Sequence, residues 1–101
     1  MGGGIMDVYY IIAALSVNDI RYYISNTSPI LWDNSKNNAK KFDTFLSAKN
    51  DLEDNYISLA NTISNSDISS LWIIKICDGE EVKQKQILWE KLFTPRNYLF
   101  F

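Results

Sequence analysis

No histidine occurs anywhere in this chain. Its absence removes the usual general base, the usual proton shuttle and the commonest metal ligand together. Neither a Ser-His-Asp nor a Cys-His nucleophile can be assembled from it. Cysteine is nearly absent too. Cys77 stands alone, so an internal disulfide and a Cys/His zinc site are both excluded. Glycine is scarce: after Gly4 only Gly79 remains, too few for a phosphate-cradling loop or a dinucleotide fingerprint. No apolar run approaches the roughly 18–20 residues of a membrane helix. The most apolar stretch, Val8 to Leu15, lacks the basic leader and the small-residue cleavage site of a signal peptide. Position 6 is Met6, where N-myristoylation wants Ser or Thr. These absences lead to the expectation of a cytoplasmic protein with no catalytic residues, no cofactor and no metal.

What is present suits a packed core. The chain has 101 residues, of which 47% are hydrophobic and 14% aromatic, enough for one globular domain without disulfides. Its formal net charge is −2, so it is not the basic chain that generic nucleic-acid binding favours. Residues 1–5 read as an appended leader, with the natural start near Met6. Residues 6–93 read as a single α+β domain, and 94–101 as an apolar tail ending in Tyr98, Leu99, Phe100 and Phe101.

Asp7 to Leu15 is rich in Tyr, Val and Ile with almost no polar position, which predicts a strand buried on both faces. Ser16-Val17-Asn18-Asp19 is a turn cluster, and Ile20 to Ser25 follows as a second strand of an N-terminal hairpin. Its alternation puts Ile20, Tyr22 and Ile24 on one face and Arg21 and Tyr23 on the other. Asn26 to Pro29 breaks the ladder, and Ile30-Leu31-Trp32 suggests a short further strand. Ala39 to Phe42 resembles a single helical turn that drops Phe42 into the core. One main helix is then expected, with Ser47 as N-cap and Leu52, Tyr56, Leu59 and Ile63 on its buried stripe. Asp51, Glu53 and Asp54 would lie in its early turns, and Asn65-Ser66-Asp67 would end it.

Ile68 to Cys77 is the strongest strand, with Trp72, Ile74 and Ile76 on one side and Leu71, Ile73 and Lys75 on the other. Asp78-Gly79 signals a C-terminal hairpin. A capping box from Asp78 to Glu81, opening a helix through Phe93, is the alternative. The expected architecture is a small antiparallel sheet packed on one main helix.

Few residues could carry chemistry. Glu81-Val82-Lys83 with Asp67 upstream has the composition of a metal-dependent nuclease core, which would need those carboxylates to converge on a cation. A solvated charged hairpin is the simpler account. Lys36, Lys40, Lys41 and Lys49 form a basic cluster that could follow a single-stranded backbone if aromatics lay beside it. Of the tryptophans, Trp72 is expected in the core, Trp32 at a core lid or contact surface, and Trp89 beside the apolar tail. Arg21, Tyr23, Trp32, Lys40 and Lys41 are the candidate partner-binding residues, being types that dominate interfaces or lying in the adjoining basic loop.

The order of these features resembles small ββαβ proteins of phages and mobile elements, including anti-CRISPR proteins. The residues that carry it are the Tyr-Ile-Ile strand, the Tyr-Tyr-Ile strand, Trp32, Ala39-Lys40-Lys41-Phe42 before a helix, and the late Asp78-Gly79 turn. The abundance of Ile, Asn and Lys, with AT-rich codons, agrees with a low-GC bacterium or its phages. The resemblance implies a non-enzymatic protein-binding module, an inhibitor of a host defence nuclease. Its partner would be a host protein or ribonucleoprotein complex, with no membrane involved and direct nucleic-acid binding secondary. A nucleic-acid-binding accessory protein using the cluster at 36–49 is the alternative.

Overall fold

The apolar run near the N-terminus forms the middle of a sheet. In a computed structural model, which describes residues 7–64 and 67–87, it is strand β1, Val8–Ser16. Ile11, Ile12, Ala13 and Ala14 are all buried, as a strand covered on both faces requires. β2 (Arg21–Thr27) and β3 (Ile30–Asp33) follow, then a short 3-10 turn at Lys36–Asn38. Helices α1 (Phe45–Asp54) and α2 (Tyr56–Ser64) lead to β4 (Ile68–Cys77) and β5 (Glu80–Ile87). All neighbours are antiparallel, in the spatial order β3-β2-β1-β4-β5. The fold is α+β, with a five-stranded sheet among the described residues.

The helices cover one face. There Ile12, Ala14, Ile24, Leu71, Ile73 and Ile87 meet Ala48, Leu52 and Leu59. A smaller cluster of Ile11, Ala13, Tyr23, Ile74 and Ile76 occupies the opposite face, with Tyr9, Ala39 and Trp72 against it.

Two helices stand where one is expected. Asn55 divides them: its side-chain amide donates to the Asp51 carbonyl at 2.9 Å and to Asp51 Oδ1 at 3.1 Å. A side chain that competes for helical carbonyls in this way favours a cap over a helix interior. Leu52 and Leu59 remain on a common buried side, with Ile63 packed beside them. The N-cap is Thr44 rather than Ser47; its Oγ1 accepts from the Ser47 backbone N–H at 3.0 Å. Starting the helix earlier puts Asp51, Glu53 and Asp54 in its second half, away from the positive end of the dipole.

Phe42 is buried as expected, but not in a helical turn. It exchanges backbone hydrogen bonds of 2.7 and 2.8 Å with Tyr10, while Lys40 N–H donates to Ile24 O at 2.8 Å. This segment thus takes the backbone groups left free where β2 parts from β1.

The Asp-Gly signal resolves as a hairpin. Asp78 and Gly79 have φ of 53° and 85°, the left-handed pair that a tight two-residue turn needs. The register then shifts between Lys75 and Ile76: Ile76 opposes Glu81, yet Lys75 opposes Lys83. Val82 is the extra residue of a bulge. The predicted helix end at Asn65-Ser66, the leader 1–5, Trp89 and the tail 94–101 lie outside the described residues. Among the described residues no helix is long and apolar enough to cross a membrane.

Candidate functional site

The bulge at Val82 decides which charges share a face. An uninterrupted hairpin would place Glu81, Lys83 and Lys85 together, because side chains alternate with period two. One extra residue sends everything after it to the other side. Glu81 therefore stays on the face of Ile76, while Lys83 and Lys85 turn to the helix-covered face beside Lys75 and Ile73. The same shift carries Ile87 opposite Leu71 into the larger core, where it is 9% exposed. Burial of Ile87 is a physical reason for the bulge to persist.

The result is a basic, aromatic-walled cleft. Tyr10, Lys75 and Lys83 form one row across β1, β4 and β5, and Ile12, Ile73 and Lys85 form the next. Phe45, the first residue of α1, stands beside them, with Lys85 Nζ 5.5 Å from its ring centroid. Tyr10, Phe45, Ile73, Lys75, Lys83, Gln84 and Lys85 line an open cleft of about 260 Å³. Among the described residues no carboxylate lines it. Lysines directly opposite on an antiparallel pair repel each other, and none of these three has a salt bridge among the described residues.

Of the residues singled out from the sequence, Arg21 and Tyr23 meet, the guanidinium carbon lying 5.4 Å from the ring centroid, but the five do not form one site. Tyr23 is 7% exposed within the smaller core, so it offers no free contact surface. Arg21 shares its face but is engaged: its two terminal nitrogens donate to both Glu81 oxygens at 3.1 Å. Trp32 lies opposite Ile24 and packs on the larger core, on the other face from Tyr23. Its Nε1 is buried without a hydrogen-bond partner among the described residues. Lys40 donates 3.0 Å hydrogen bonds to Thr27 Oγ1 and Asp51 Oδ2, tying β2 to α1. Lys41 lies 4.6 Å from the Tyr9 ring centroid.

Of the expected basic cluster at 36–49, Lys36 and Lys40 are paired with carboxylates, while Lys41 is exposed. Lys36 is 3.9 Å from Glu81 and Lys40 is paired with Asp51. Asp67 and Glu81 do not converge either. Asp67 precedes the first residue of β4, whereas Glu81 opposes Ile76 near its last, and Arg21 occupies its carboxylate. No group of acidic residues, cysteine or histidine suited to holding a metal ion occurs among the described residues.

The unpaired lysines were missed because Glu81-Val82-Lys83 reads as one alternating unit. Ile87 gave no clear clue, because it opens the apolar run Ile87-Leu88-Trp89, whose phase the sequence does not set. Comparison with known proteins adds no relative: no family model matches the chain, and no curated protein or solved structure matches it.

Proposed function

We propose that this chain is a non-enzymatic binding module that inhibits a host defence nuclease by occupying an anionic surface of a host protein or ribonucleoprotein complex. One observation carries the anionic character of the partner: Lys75, Lys83 and Lys85 converge on a cleft that no carboxylate lines among the described residues. Concentrating like charge costs stability, and an anionic partner would offset that cost on binding. The inhibitory role rests on the resemblance to small phage proteins.

The test captures host complexes with the original chain and with K75E/K83E/K85E side by side. A defined complex should be retained by the first and lost by the second. Retention by both would remove the cleft from recognition. Titrating the retained nuclease should give inhibition that ends at one equivalent. Complete inactivation by well under one equivalent would mean turnover, and would overturn the non-enzymatic reading.

A further inference from the structure

The anionic-partner reading names a charge but not a chemistry. We infer that the cleft binds the backbone of a single-stranded nucleic acid, with a base stacked against Phe45 or Tyr10. This inference rests on the cleft being the recognition site, and it adds the class of ligand.

The lysines have the layout of a strand-tracking surface. Lys83 and Lys85 are two residues apart on β5, so their stems rise about 6.4–6.8 Å apart. Lys75 stands directly across from Lys83, so the three ammonium groups can reach both sides of a chain laid along the hairpin. A flexible polyanion with charges at regular intervals matches that array. Among the described residues β5 is an edge strand of the sheet, and Lys83 and Lys85 are exposed.

The aromatic rings carry the choice of nucleic acid over an acidic peptide. Lysines alone would serve carboxylates equally well. Phe45 and Tyr10 instead offer π-faces in the same cleft, and base stacking on aromatics beside a positive groove is how single strands are held without sequence preference. Lys85 already rests over the Phe45 ring, and a base could take that place while its ammonium moves to a phosphate. A cleft of about 260 Å³ has the scale of one unpaired nucleotide, smaller than the ~300–1,000 Å³ pockets of drug-sized ligands. A paired duplex hides its base faces and gains nothing from the rings.

The experiment measures fluorescence anisotropy of short labelled oligothymidylate and oligouridylate, with labelled polyglutamate as the rival anion. Oligonucleotide binding should weaken with salt with a log–log slope near −2, from about three phosphates at ~0.7 each. K75A/K83A/K85A should lose on the order of tenfold affinity or more and most of that slope. Phe45→Leu should weaken binding several-fold and leave the slope unchanged, which separates stacking from charge. Because α1 begins at Phe45, circular dichroism of that variant must match the original chain, and Phe45→Tyr should restore binding.

Binding that survives the triple substitution would overturn the site. Polyglutamate binding that needs the lysines, without oligonucleotide binding, would overturn the nucleic-acid inference and leave the anionic-partner reading standing. If neither anion binds, both fail.

Discussion

Lys83 and Lys75 face each other with no carboxylate among the described lining residues, so their repulsion is a local cost of the fold. Lys83→Glu would turn a like-charge cross-strand pair into an attractive one. It should stabilise the chain by a few tenths to about 1 kcal/mol while abolishing capture of an anionic partner. A melting temperature that falls, or one that rises with binding intact, would contradict the role given to this lysine. Gly79 illustrates a different constraint. Nothing lies near the position of an added Cβ, so Gly79→Ala meets no clash, but its φ of 85° is strained for any L side chain. The expected cost is about 1 kcal/mol, seen as a lowered denaturant midpoint without a change in slope.

Elements in this fold are held in phase by single apolar side chains. Leu52 is fully buried where α1 meets the sheet, and Leu52→Ala should cost about 2–5 kcal/mol by chemical denaturation. β5 depends on Ile87 in the same way. Deleting Val82 would remove the extra residue while Glu81 still opposes Ile76 and Lys83 still opposes Lys75, so Lys83, Lys85 and Ile87 should keep their faces. Such a variant should retain the three-lysine cleft, and its Lys85 resonances should keep their ring-current shift from Phe45. Loss of that shift would mean that Val82 is not the residue the bulge adds.

Across the whole molecule, the two faces of the sheet are closed by different means. Helices cover one; the other has a small core crossed by charged side chains. Arg21 on β2 reaches Glu81 on β5 with β1 and β4 between them in the sheet, and Lys36 joins the same carboxylate. These groups are about one-third exposed, so Arg21→Ala should cost on the order of 1 kcal/mol or less. The difference between the two chains should shrink at high salt. Trp72 lies on this second face, half-buried, with Nε1 donating to Ser70 Oγ at 3.1 Å. Its replacement by Ala should therefore cost less than the ~3–5 kcal/mol of a fully buried aromatic.

Local chemistry alone was sufficient for several of these features. An unbroken apolar run marked β1 as covered on both faces, alternation set the two sides of β4, and Asp78-Gly79 set the hairpin, because each signal spans only neighbouring residues. The division of the helix at Asn55 was weakly legible, since asparagine competes with backbone partners wherever it sits. Charge pairing was not legible at all. Arg21 and Glu81 are 60 residues apart and meet only through the strand order, while Lys40 and Asp51, 11 apart, meet only once α1 packs beside the end of β2. The lysine cleft belongs with them: its phase depends on one bulge, and that bulge is favoured by the burial of Ile87 against Leu71, a contact that exists only once the sheet has packed on its helices.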